Sequence, residues 1–453
     1  MPVPDRAHER SGADTVPGRV RRLCGRGGVR LHGGVVTTGG AAEKADVAAE
    51  AVFDGHRRHV SDGMGRLLRM IKAPVEIASA GCHITDAQGV RYLSCGGNGV
   101  FLLGHCHPRV VHAVTEQLRT RPLASHLLAD PTVVAAASAL AAVTPDGLDH
   151  LTFTNSGAEA VELALKLAKA SGRHRIIAMD NGFHGKTLGA LSVTGRHRYR
   201  DAVGALLPGV VHVPYGDVAA VTAALAQGEP AAVIVEPVQA EGGVRIPPDG
   251  YLAAVRAACD RHQGLLIVDE IQTGLGRVGS LWGCAATGVA PDVLLCGKIL
   301  GGGVVPVGAV AATAQVHAPL DRDPFLHTST FGGNPVAAVA VMSALSVLED
   351  EDLIARSRVM GARLLPEIDA AMRAGCPDLV REVRGVGLLI GIEFSGQRAA
   401  MAMTRALLRH RVVVSHTLNA SDVVRLTPPA ILAESDIEWL LTAVRAAASE
   451  LRG

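Results

Sequence analysis

Against 38 arginines the chain carries six lysines: Lys44, Lys72, Lys166, Lys169, Lys186 and Lys298. Arginine cannot give up its proton or form an imine, whereas lysine does both once its pKa is lowered, so each lysine retained here invites a chemical reading. Lys298 follows the apolar run DVLLCG, and acidic residues close two neighbouring runs, Glu236 after AAVIV and Asp269 and Glu270 after GLLIV. Between the run LTFT and a helical pattern lies the turn Asn155-Ser156-Gly157-Ala158. A helix start of that kind offers free N–H groups and a positive dipole end, a site for an anion such as phosphate. By itself it reads equally as an ordinary serine-capped helix.

A lysine, a strand-end carboxylate and a phosphate cradle together meet the needs of pyridoxal phosphate. Its aldehyde requires a lysine amine, its ring nitrogen a carboxylate, and its phosphate a set of N–H donors. Two other patterns compete. Gly274, Gly276 and Gly279 satisfy G-x-G-x-x-G just after a strand, as in nicotinamide-dinucleotide binding, but the acidic residues precede the glycines and SLWGCAATGVAPD is a poor following helix. His105-Cys106-His107 hints at a metal, yet adjacent residues diverge and no second ligand cluster follows, so no metal is expected.

The elements that must position these residues form an alternation. LTFT (151–154), RIIAMD (175–180), VVHVP (210–214), AAVIVEP (231–237), GLLIVDE (264–270) and DVLLCGK (292–298) are continuous apolar runs separated by helical stretches. They predict a mostly parallel sheet covered on both faces, with ligands beyond the strands' carboxyl ends. Ahead of them, VEIASAGCHITDAQGVRYLSC predicts a small antiparallel unit around the turn at 86–89. Beyond about residue 346, helix and short strands (VGLLIGIEF, RVVVS, VVRLTPP) predict a smaller α+β domain. The expected division is a disordered Arg/Gly-rich tail at 1–45, an N-terminal segment at 46–98 packing with the small domain, a large domain at 99–345 and the small domain at 346–453.

With 44 basic and 43 acidic side chains there is no global field for nucleic acid or an acidic membrane. The longest apolar run, Val336 to Leu348, is too short to span a bilayer, and no secretory signal pattern precedes the domain. Eight scattered cysteines read as reduced thiols. The expectation is a cytoplasmic enzyme acting on small molecules.

From about Leu67 onward the chain resembles the class III, fold-type-I aminotransferases. The resemblance is carried by NSGAEAVELALKLA (155–168), FHGKTLGALSVTG (183–195), EPVQAEGG (236–243), LLIVDEIQTGLGRVG (265–279), GKILGGGVVPVGA (297–309) and STFGGNP (329–335), in that order. It implies that Lys298 carries the cofactor and moves the proton between the substrate Cα and C4′, while Asp269 keeps the pyridine nitrogen protonated. Gln272 would bond the phenolic oxygen, Ser156, Gly157 and Ala158 the phosphate, and Phe183 would stack on the ring with His184 supporting it. Glu236 would support the site from its strand end. Thr330 would reach the phosphate of the other subunit, which implies a homodimer with shared active sites.

For substrates, the resemblance makes Arg425 the carboxylate clamp and Glu241 its removable counter-charge when the amine lacks an α-carboxylate. CGGNGVFLLGHCHP (95–108), DPFLHTSTFGGNP (323–335) and VVVSHTLNASDVVRLTPP (412–429) look most like putrescine, or diamine, aminotransferases, although Asn98 and Leu103 depart from that pattern. The implied reaction moves the amino group of a terminal amine to 2-oxoglutarate by a ping-pong route. The alternatives are an ornithine or acetylornithine δ-aminotransferase and a biosynthetic-cluster enzyme acting on a specialised amine or aldehyde. A mutase or decarboxylase using the same cofactor would need Lys298 and Asp269 equally and would differ in not consuming a keto acid.

Overall fold

A computed structural model describes residues 49–452, so the expectation for the 1–45 tail lies outside the described residues. The described chain forms two compact units, 49–78 with 85–91, and 79–84 with 92–452. The first holds the helices Ala49–Gly55 and Asp62–Met70, joined by a π-helical turn, His56–Val60. Three short strands follow in sequence, β1 (Glu76–Ala80), β2 (His83–Asp86) and β3 (Arg91–Ser94).

The second unit is built on a seven-stranded sheet. Its strands are β4 (His150–Thr154), β5 (Arg175–Met179), β6 (Val210–Val213), β7 (Ala231–Val235), β8 (Leu265–Asp269), β9 (Val293–Cys296) and β10 (Gly308–Ala312), in the order β4-β10-β9-β8-β7-β5-β6. Strands β7 to β10 are buried along their whole length, as the apolar runs of β7, β8 and β9 predict. Strands β5 to β9 run parallel in the pairs β6-β5, β5-β7, β7-β8 and β8-β9. Strand β10, absent from the sequence reading, runs antiparallel to both β9 and β4. The short link 297–307 has no room for a crossover helix, so the chain returns in the opposite direction. Because β4 is antiparallel to β10, it runs with β5–β9, and its carboxyl end joins theirs at one edge.

The helix Gly157–Ala170 packs on this sheet through Ala160, Val161, Leu163, Ala164 and Leu167, all fully buried. Truncating one of these leucines to alanine removes about 2–5 kcal/mol. A second, antiparallel sheet follows, β11 (Val380–Val386), β12 (Leu389–Phe394), β15 (Val423–Leu426) and β14 (Ser415–His416) in that order, next to the helix Leu353–Gly375. The run RVVVS divides between two sheets. Val412 and Val413 form β13, parallel to Leu93 and Ser94, and after Val414 the chain enters β14 against β15.

Candidate active site

The carboxyl ends of β4, β7, β8 and β9 deliver Ser156, Glu236, Asp269 and Lys298 to the same edge of the sheet. Gly157, Ala158, Phe183, His184, Gly185, Glu236, Glu241, Asp269, Ile271, Gln272 and Lys298 line a cavity of about 200 Å³ there.

Lys298 opens a 3-10 turn after β9 with φ of 48°, a left-handed backbone that costs a non-glycine residue about 1 kcal/mol or more, and it lines the cavity. Burial lowers its pKa from 10.5, opposed by the charges of Glu241 and Asp269. A lowered pKa makes a lysine's neutral, nucleophilic and proton-accepting form easier to reach. Asp269 accepts the N–H of Ile271 at 3.0 Å, and its other oxygen lies 2.7 Å from His184 Nδ1. His184 therefore braces the carboxylate, and its backbone N–H donates to Thr194 Oγ1 at 3.0 Å. Glu236 accepts the backbone N–H of Phe183 at 3.1 Å, fixing the loop that carries this ring. Burial, followed by the charge of Asp269, pushes the Glu236 carboxyl well above its usual range.

At the helix start, Ser156 Oγ accepts the Glu159 N–H at 3.2 Å, which leaves its own proton free to donate. The first-turn N–H groups of Gly157 and Ala158 have no intrahelical acceptor. A Cβ at Gly157 would stand 2.8 Å from Ile271 Cδ1, so glycine lets the helix start close on the cavity. Gln272 is 4% exposed, and both its amide oxygen and nitrogen lack any partner.

Arg425 sits on β15 opposite Gly391 and Ser415 and is wholly buried. Its Nη1 lies 2.5 Å from Glu241 Oε1. The contact is an ion pair off the hydrogen-bond line, and all three guanidinium nitrogens lack a hydrogen-bond acceptor. Glu241 Oε2 accepts the Leu418 N–H at 2.8 Å. Thr330 stands apart: it is exposed, its carbonyl lies 2.8 Å from His126 Nε2, and it forms no part of the cavity wall.

Several residues at the site escaped the sequence reading. Ile271 and Gly185 line the cavity, and only their place between recognised neighbours could have signalled them. Arg277, fully buried, donates to the carbonyls of Pro428 at 2.7 Å, Leu388 at 3.2 Å and Gly99 at 3.3 Å. It belongs to the glycine pattern GLGRVG, whose residues form successive turns and open no helix, so a dinucleotide has no helix N-terminus to occupy there. His105 Nε2 meets Ser94 Oγ at 2.9 Å while His107 Nε2 meets Glu351 at 3.0 Å, so the two rings of that tripeptide face different partners.

The orphaned Gln272 amide, the open helix start, the braced Asp269 and the buried Lys298 amine fit a ligand with a phosphate, a basic ring nitrogen, a ring oxygen and an aldehyde. These are the groups of pyridoxal phosphate.

Comparison with known proteins agrees. The family model described as aminotransferase class-III matches residues 70–448. Among solved structures, the ornithine aminotransferase from Toxoplasma gondii superposes with a TM-score of 0.83 at 29% identity, covering 97% of this chain and 99% of its own. An (S)-enantioselective omega-transaminase from Thermomicrobium roseum gives 0.81 at 30% identity over 90% of this chain and 99% of its own. Acetylornithine aminotransferase from Elizabethkingia anophelis gives 0.76 at 29% identity, over 89% and 99%.

Proposed function

Since the chain belongs to the class III aminotransferases, which depend on pyridoxal phosphate, we propose that it moves the amino group of a terminal amine to 2-oxoglutarate. Putrescine or another diamine is the first candidate donor, with an aldehyde and glutamate as products. The observation that carries this reading is the buried pair of Arg425 with Glu241, whose carboxylate is also part of the cavity wall. With its charge masked, the arginine suits a donor without an α-carboxylate. With Glu241 displaced, it suits a keto acid. The similarity to an omega-transaminase and to ornithine and acetylornithine aminotransferases supports the same terminal-amine chemistry.

Pyridoxal phosphate supplies an aldehyde that takes up the amino group and a ring that accepts the electrons released at the substrate Cα. In this reading the Lys298 amine would hold the cofactor and move the proton at the substrate Cα. Asp269, held by His184 and the Ile271 N–H, would keep the ring nitrogen positive. The N–H groups of Gly157 and Ala158 and the Ser156 hydroxyl would hold the phosphate, Gln272 the phenolic oxygen, and Phe183 would cover the ring.

We further infer a homodimer in which Thr330 serves the partner's site. Thr330 is exposed, and the segments beside it carry Leu127 at 92%, Leu128 at 79% and Phe325 at 85% exposure, an apolar set suited to a second copy. The deciding experiment is an amino-donor panel against 2-oxoglutarate. Diamines as the best donors sustain the reading, ornithine or N-acetylornithine as the best donor replaces it with the δ-aminotransferase alternative, and turnover without keto-acid consumption overturns it.

A further inference from the structure

Between β14 and β15 the chain makes a turn, Thr417 to Ala420, which the catalytic reading leaves without a role. Three of its hydrogen-bonding groups, the Leu418 N–H, the Asn419 N–H and the Asn419 amide, reach loops of the site. The Leu418 N–H donates to the Glu241 carboxylate at 2.8 Å, and the Asn419 N–H donates to the Glu241 carbonyl at 2.9 Å. The Asn419 side-chain amide donates to the carbonyls of Asn181 at 2.8 Å and Gly182 at 3.0 Å, immediately before Phe183. From the other side the Tyr199 hydroxyl donates to the Leu418 carbonyl at 3.1 Å, and Lys186 Nζ stands 4.2 Å from the centroid of the Tyr199 ring. Thr417 closes the turn by donating its hydroxyl to the Ala420 carbonyl.

Asn419 is 2% exposed and its Oδ1 has no donor, so this side chain is held there by its two donated bonds alone. A buried amide with an unpartnered oxygen carries a cost, and it is tolerated where it fixes a geometry. The geometry fixed here joins the loops bearing Phe183 and Glu241 to the turn that leads into β15, the strand carrying Arg425.

We propose that the turn 417–420 is a clamp that holds Glu241 against Arg425, with Asn419 and Tyr199 as positioning residues that set the preference between donors without an α-carboxylate and the keto acid. The proposal rests on the masked-arginine reading given above. For a carboxylate to reach Arg425, Glu241 must leave, and leaving breaks the bond from the Leu418 N–H. The clamp therefore stabilises the amine-accepting arrangement and opposes the keto-acid one. Loosening it shifts the balance toward the keto acid, leaving the proton transfers at Lys298 unchanged.

The test measures the two half-reactions separately in single turnovers of cofactor-loaded wild-type protein, Asn419→Ala, Tyr199→Phe and Glu241→Gln. Tyr199→Phe keeps the ring beneath Lys186 and loses only the hydroxyl, so it reports on the clamp even where Asn419→Ala folds poorly. The expected result is a fall of roughly three- to tenfold in the 2-oxoglutarate concentration at half-saturation, the size of one lost hydrogen bond, and a rise for the amine. In Asn419→Ala and Tyr199→Phe the limiting rates of both half-reactions stay within about twofold of wild type. Equal shifts for both substrates, or none, in Asn419→Ala and Tyr199→Phe while Glu241→Gln separates them would overturn the clamp and leave the masked arginine standing. If Glu241→Gln itself fails to separate the two substrates, the masked-arginine reading fails and the clamp fails with it.

Discussion

Glu241→Gln is the sharpest probe of the site, because it removes a charge and little else. The amide keeps the length of the side chain and an oxygen able to accept the Leu418 N–H. What disappears is the negative partner of Arg425, a guanidinium that is wholly buried and has no hydrogen-bond acceptor. At the 2.5 Å contact, an effective dielectric of about 20 gives an attraction of roughly 7 kcal/mol before desolvation is subtracted. Removing one partner of such a buried pair costs about 3–5 kcal/mol net, so the variant should melt several degrees below wild type when no carboxylate ligand is present. On the proposed masked-arginine reading, 2-oxoglutarate brings the missing charge and no longer has to displace Glu241. If only about 1.4 kcal/mol of the lost interaction is recovered on binding, its affinity rises about tenfold. The amine, which brings no carboxylate, recovers nothing. Thermal melts with and without 2-oxoglutarate, together with stopped-flow records of each half-reaction, measure both effects. An unchanged melting temperature, or the same factor in both half-reactions, would refute the argument that Arg425 depends on Glu241 for its charge balance.

Other predictions follow from the same geometry. With Lys298 in its proposed role as proton acceptor at the Cα, Lys298→Ala should lower the single-turnover rate of amino transfer at least about a hundredfold while circular dichroism stays native. Arg425→Ala should damage the 2-oxoglutarate half-reaction more than the amine half-reaction, and parallel losses in the two would count against a carboxylate clamp. Glu236 has a folded pKa raised above its ordinary 4.5, so between 4.5 and that raised value the unfolded chain has lost a proton that the folded chain keeps. Stability from this group is therefore present below pH 4.5 and declines as pH rises through the folded pKa. Glu236→Gln, which retains an acceptor for the Phe183 N–H, should flatten that decline in denaturant titrations of cofactor-free protein at a series of pH values. Phe325→Asp should shift sedimentation toward the monomer if its exposed ring belongs to the subunit interface.

Much of the architecture is legible in the sequence because the strands of a sheet covered on both faces must be apolar throughout. GLLIV and AAVIV can be little else, and the residues that close them necessarily fall at carboxyl ends. Strand β10 is less legible, since Gly308–Ala312 is short, small and preceded by a glycine-rich link in place of a helix. The glycine pattern 274–279 misleads for a related reason: it satisfies a spacing rule, but whether a helix follows depends on Arg277 drawing three distant carbonyls around itself.

The sequence by itself determined the kind of chemistry: a lysine where arginine is the habit, a carboxylate at a neighbouring strand end and a helix start with open N–H groups. These depend on residue type and on short-range periodicity, which the chain carries locally. Tertiary structure alone decided the partnerships that tune the chemistry. His184 meets Asp269 across 85 positions, Leu418 meets Glu241 across 177, and Asn419 reaches Asn181 across 238. No local propensity encodes such pairs. The first arises where two strand ends of the seven-stranded sheet meet and the other two where the turn before β15 packs against that edge, and buried polar groups persist there only because a partner is within reach.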